Sequence, residues 1–157
     1  MIQSSSLLLI DPPPFGLLRF DAATGERHSS GRSEPVKIIV VDDESTIATT
    51  LVEILQGEGF EAMSASTGQA AIELAHTFQP DVVLSDVIIP GLNGIEAGIK
   101  IREFLPKCRI ILFSGQAATL DLLKEARKRG HEFEILAKPI KPEALLTIIR
   151  RDDRRSS

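Results

Sequence analysis

Ile38-Ile39-Val40-Val41-Asp42-Asp43-Glu44 decides how this 157-residue chain is read. Four β-branched apolar residues in a row suit a strand buried on both faces, because a half-exposed strand would alternate apolar with polar. Acidic residues follow at once, where such a strand must end. The same texture returns along the chain. Val82–Leu84 runs on to Asp86, Ile110–Phe113 to Ser114 and Gly115, and Ile135–Ala137 to Lys138 and Pro139, with a weaker run at Ala62–Ala65.

Between these runs the apolar residues take helical spacing. Ile47, Leu51, Ile54 and Leu55 form one stripe, stopped by Gly57 and Gly59. Ala71, Leu74, Ala75 and Phe78 form a second, ended by Pro80. Ile95 and Ile99 mark a third that closes before Pro106, Leu122, Leu123 and Ala126 a fourth closed by Gly130, and Leu145, Leu146, Ile148 and Ile149 a fifth. Five strand–helix pairs in strict alternation predict a doubly wound, five-stranded parallel α/β sheet with helices on both faces. Right-handed crossovers leave few topologies open.

Ligands of doubly wound sheets bind beyond the carboxyl ends of the strands. The residues expected there are Asp42, Asp43 and Glu44, then Asp86, Ser114 with Gly115, and Lys138 with Pro139, all on one edge. Carboxylates that close together raise one another's pKa unless a cation joins them. A hard divalent ion with oxygen ligands answers this, and Mg²⁺ is favoured because it keeps waters and phosphate oxygens in its shell. An aspartate can also act as a nucleophile and form an aspartyl phosphate, with Lys138, Ser114 and the metal around the transferring charge. Taken singly, each piece has a plainer reading: Asp42-Asp43 as a helix N-cap, Lys138-Pro139 as a turn, Ser114-Gly115 as a loop. The joint pattern, each piece at a strand end and in this order, is far harder to obtain by chance.

These residues resemble the receiver domain of bacterial two-component response regulators. The likeness spans about Val36 to Arg150. It is carried by Ile39-Val-Val-Asp42-Asp43-Glu44, Asp81-Val-Val-Leu-Ser-Asp86, Pro90-Gly91-Leu92-Asn93-Gly94, Ile111-Leu-Phe-Ser114-Gly115 and Lys138-Pro139. The resemblance implies a flavodoxin-like strand order, 2-1-3-4-5. It implies that Asp86 accepts a phosphoryl group from a histidine kinase or phosphotransfer protein, with a protein target downstream. Asp43 and Asp86 would bind Mg²⁺ directly, Asp42 mainly through water, and the Ile88 backbone carbonyl would be a further ligand. Lys138 would pair with the phosphoryl oxygens, and Ser114 would hydrogen-bond the phosphate and move on activation. The Lys138–Pro139 bond would be cis. The protein would assist its own phosphorylation and dephosphorylation without being an enzyme in the usual sense. One position departs from the family. A switch aromatic often stands three residues before the lysine, where this chain has Ile135. Phe133, two residues earlier, should point to the same face.

Three other functions compete with this one. A constitutive protein-interaction module with an unused site is the alternative; Ile135 argues for it and the intact aspartates and lysine against it. A Mg-dependent phosphohydrolase would need a cap or substrate domain and an acidic residue where Ile88 stands. A flavin carrier would need a phosphate loop after the first strand and aromatics to sandwich the ring.

Composition narrows the rest. The net charge of −4 gives no electrostatic case for direct nucleic-acid binding, and 4% aromatic content, with no Tyr or Trp, offers no stacking surface. Cys108 is the only cysteine, is read as a core residue, and suits a reducing cytoplasm. Leu7–Ile10 is too short to span a membrane and is interrupted by Asp11 and Pro12 to Pro14. Residues 1–35 read as a flexible extension, 36–150 as the receiver domain, and 151–157 as a solvated polar tail with no output domain after it. His28, His76 and His131 fall away from the site edge, and the basic stretch Lys124–Arg129 reads as a solvated helix face.

Overall fold

The computed structural model describes residues 20–21, 26–27, 34–115 and 119–155. The chain divides into two units, residues 1–35 and 36–157. In the first, Phe20–Asp21 pairs antiparallel with Glu26–Arg27, a pairing that the lack of any strand period did not foretell. The expected flexibility of that stretch otherwise lies outside the described residues.

The second unit alternates without interruption. Its strands are β1 (Lys37–Val41), β2 (Glu61–Ala65), β3 (Val82–Asp86), β4 (Arg109–Ser114) and β5 (Glu134–Ala137). Its helices are α1 (Ser45–Gly57), α2 (Gly68–Phe78), α3 (Gly94–Phe104), α4 (Thr119–Lys128) and α5 (Pro142–Arg155). All pairings in the sheet are parallel, in the order β2-β1-β3-β4-β5. This is the expected 2-1-3-4-5 doubly wound arrangement. Among the described residues, no helix is long and apolar enough to cross a membrane.

Successive side chains of a strand point to opposite faces, so each central strand feeds two cores. Ile39, Val41, Val83, Ile110 and Leu112 pack with α2 and α3 on one face. Ile38, Val40, Val82, Leu84, Ile111 and Phe113 pack with Leu51, Leu55, Leu145 and Ile149 of α1 and α5 on the other. Cys108 lies in the first core, and burial pushes its thiol up to about 12. Helices α2 and α3 begin on side-chain caps, with Thr67 accepting from Ala70 N–H and Asn93 from Glu96 N–H.

Two expectations are corrected. The run Ile135–Ala137 is not buried on both faces, because β5 is the edge strand and Ile135 is 41% exposed. The polar stretch after Arg150 is not all tail, because α5 continues through Arg155. Leu145 and Ile149 anchor that helix in the core, Arg109 donates to the carbonyls of Ile148 and Ile149, and arginine is a good helix former. On α4, Ala126 is buried as its spacing predicts, whereas Leu122 is exposed.

Candidate functional site

The parallel register sets the site. Val41 pairs with Ser85, Asp86 with Phe113, and Ser114 with Ala137. The residues at and just beyond the carboxyl ends of β1, β3, β4 and β5 therefore converge on one edge. They are Asp42 and Asp43, Asp86, Ser114, and Lys138, as the sequence predicts.

Carboxylate oxygens of Asp42, Asp43 and Asp86 lie within 4.8 Å of one another. Lys138 Nζ donates to Asp86 Oδ2 at 2.6 Å. Asp86 Oδ1 accepts from the backbone N–H of Ile88 at 3.2 Å. Asp42 is 1% exposed; its Oδ1 accepts from Glu44 N–H, and its Oδ2 is buried without a hydrogen-bond partner. The N-cap reading of the Asp pair fails here, since Glu44 occupies the cap position of α1 and its side chain makes no capping bond. The Lys138–Pro139 bond is cis.

Burial pushes the Asp42 carboxyl up from its usual value, and the charges of Asp86 and Asp43 add to this, while the Glu44 N–H and Lys138 oppose it. Burial alone would lower the Lys138 ammonium, but the hydrogen bond and charge of Asp86, with Asp42 and Glu44 behind it, raise it on balance. The lysine therefore stays charged where it touches Asp86. Three convergent carboxylates, one with an orphaned buried oxygen, form a hard oxygen set that fits a divalent cation of the Mg²⁺ kind.

Sequence reasoning missed two residues. An added Cβ at Gly94 would sit 2.2 Å from the Asp86 carbonyl oxygen and 2.8 Å from Ser85 Oγ, so only glycine lets α3 begin against the backbone of Asp86. Its place in Pro90-Gly91-Leu92-Asn93-Gly94 was a visible signal. Thr119, at the start of α4, shares a hydrogen bond with the Ser114 hydroxyl and is buried; the apolar spacing of that helix does not single it out. Phe133 lies on the face expected, but it packs over Gly98 and under Arg102, with the guanidinium 4.7 Å from the ring centre. Of the described histidines, His76 stacks on Phe104 at 3.8 Å and His131 follows the end of α4, neither at the carboxyl edge of the sheet; His28 lies outside the described residues.

The response regulator receiver domain family is matched over residues 38–150. The chain belongs to that family. Among curated relatives, this receiver domain is 29% identical over 120 residues to the DNA-binding response regulator MtrA of Mycolicibacterium paratuberculosis, covering 76% of this chain and 52% of that protein. It is 30% identical over 120 residues to the alkaline phosphatase synthesis transcriptional regulatory protein PhoP of Bacillus subtilis, covering 76% of this chain and 49% of that protein. The chain thus spans about half the length of these curated relatives. Among solved structures, a response regulator receiver domain protein from Clostridium thermocellum aligns with a TM-score of 0.69 at 31% identity, covering 77% of this chain and 96% of that one.

Proposed function

We propose that this receiver domain takes a phosphoryl group on Asp86 from a histidine kinase or a phosphotransfer protein and, so modified, changes its binding to a downstream protein. The observation that carries the reading is the convergence at Asp86. The Lys138 ammonium sits 2.6 Å from one of its oxygens, and the carboxylates of Asp42 and Asp43 lie alongside.

An oxygen of the Asp86 carboxylate attacks phosphorus, and the bond from phosphorus to the donor's leaving atom breaks, its electron pair departing with the leaving group. Lys138 shifts from the carboxylate to the phosphoryl oxygens and offsets their charge. The Ser114 hydroxyl donates to one of those oxygens. Water attack on the same phosphorus reverses the modification. Asp43 and Asp86, with Asp42 through water and the Ile88 carbonyl, would hold Mg²⁺, which supplies charge neutralisation for the carboxylates and the phosphoryl group. Each member of the set is present and convergent, which supports this reading over a constitutive interaction module. Work in the cytoplasm, beside the kinase that loads it, follows from the same reading. DNA-binding activity belongs to the name of MtrA, a longer protein, and the negative charge of this chain supports a protein target.

Incubation with acetyl phosphate and Mg²⁺ should add one phosphoryl group by intact mass. Omitting Mg²⁺ or introducing Asp86→Asn should abolish the gain. A wild-type chain that stays unmodified, or an Asp86→Asn chain still modified to the same extent, would overturn the assignment.

A further inference from the structure

We infer that Gly115 is the positioning residue for Lys138: its bare α-carbon leaves the space in which the lysine stem lies on its way to Asp86. The inference rests on the proposal that Asp86 is phosphorylated. It begins at the end of the sheet. Ser114 pairs with Ala137 in the last rung between β4 and β5, and the Lys138 N–H donates to the Ser114 carbonyl at 3.1 Å. Gly115 and Lys138 are thus held side by side just beyond that rung. A Cβ added at Gly115 would stand 3.2 Å from Lys138 Cβ, 3.3 Å from its Cδ and 3.7 Å from its Cγ. Carbon atoms pack best at about 3.5–4.0 Å, so the stem lies across the place where a side chain at 115 would begin.

Three placements make the bare carbon consequential. Lys138 Nζ donates to Asp86 Oδ2 at 2.6 Å, so a stem pushed at its Cβ and Cδ carries the ammonium off the carboxylate. Gly115, Lys138 and Asp86 line one open recess, so a displaced stem has room to swing and the fold need not yield. The backbone at 115 does not itself call for glycine, since positive φ falls at Gly59, Gly91 and Gly130 and not at Gly115. The missing Cβ therefore answers to Lys138 rather than to the turn.

The place of the ammonium acts on two ligands in opposite directions. Its charge stabilises a phosphoryl group on Asp86. The same charge opposes a cation among Asp42, Asp43 and Asp86. A stem moved off Asp86 weakens the first interaction and relieves the second, a pattern that plain loosening of the site does not give.

The test is titration calorimetry on the full chain, once with Mg²⁺ alone and once with Mg²⁺ and beryllofluoride, a phosphoryl mimic, with melting followed in parallel. Gly115→Ala should melt within about 4 °C of wild type. It should weaken binding of the mimic about three- to tenfold, the range one net hydrogen bond sets, and Gly115→Val should weaken it further. Mg²⁺ alone should bind Gly115→Ala about two- to threefold more tightly, as a unit charge moved back by about 1 Å allows, and Lys138→Ala should shift Mg²⁺ the same way. Gly115→Ser sets the same Cβ in place and decides the matter if the alanine chain does not fold. Mimic binding unchanged in Gly115→Ala and Gly115→Val overturns the inference. So does weaker mimic binding with Mg²⁺ affinity unchanged, which would mean that the methyl obstructs the mimic, or with Mg²⁺ weakened too, which would mean general loosening. A wild-type chain that binds Mg²⁺ but no beryllofluoride overturns the Asp86 proposal itself, and the inference with it.

Discussion

Asp42 carries a buried oxygen with no hydrogen-bond partner and a carboxyl pushed up by burial. Such a group weakens the fold unless something neutralises it. Asp42→Asn should therefore raise the melting temperature in metal-free buffer, by the equivalent of about 1–3 kcal/mol, and should shrink the further rise that millimolar Mg²⁺ gives wild type. A variant less stable than wild type without metal would mean that Asp42 is satisfied by contacts other than a cation. Cys108 poses the opposite case, a titratable group that does no chemistry. Burial first, then the charge of Asp81, pushes its thiol from 9.0 up to about 12, with Arg102 opposing. Below pH 9 the thiol is protonated in both folded and unfolded chains and adds no pH dependence. Between pH 9 and about 12 only the unfolded chain loses the proton, so stability falls as pH rises through that window. Iodoacetamide at pH 8 should leave Cys108 unlabelled until denaturant is added; rapid labelling of the native protein would contradict its burial.

The start of α3 is where one helix is fitted most tightly to the site. Because a Cβ at Gly94 would collide with the carbonyl of Asp86, Gly94→Ala should destabilise by about 1–3 kcal/mol, as overpacking does, and should slow labelling by acetyl phosphate. Gly57→Ala is the control. It adds a methyl in open space at the end of α1 with no backbone strain, and should be neutral or stabilising by up to about 1 kcal/mol. Equal effects of the two would show that α3 does not bear on Asp86. The strands were legible to different degrees for a physical reason. β1, β3 and β4 are central, so continuous apolar runs such as Ile38–Val41 announce them. β5 carries a similar short run, yet being an edge strand follows from strand order rather than from its own residues, and Ile135 was read as buried when it is half-exposed. The site residues Asp42, Asp43, Asp86, Ser114 and Lys138 were legible because each stands at or just beyond the carboxyl end of an apolar strand. Thr119 was not, because its bond to Ser114 depends on how α4 docks against the end of β4. The last turn of α5 was missed because its charged residues read as tail, while the helix is held from the far side by Leu145, Ile149 and Arg109.

At the scale of the whole molecule, the core of residues 36–157 closes from its own strands and helices on both faces of one sheet. Residues 1–34 are accordingly proposed to be dispensable for folding and for phosphorylation. Deleting them should leave the melting temperature within about 4 °C, the equivalent of about 1 kcal/mol, and labelling unchanged; a larger fall would show that the leading segment contributes to the domain. What the sheet does for function is to bring a nucleophile, a cation site and a lysine to one edge from strands far apart in sequence. That convergence has meaning only if Asp86 becomes an acyl phosphate. Borohydride reduces an aspartyl phosphate to homoserine, which peptide mass spectrometry locates to a single residue. After acetyl phosphate and Mg²⁺, borohydride should convert residue 86 to homoserine and leave Asp42 and Asp43 as aspartate. An unreduced Asp86, or homoserine at another position, would contradict the assignment of Asp86 as the phosphoryl acceptor.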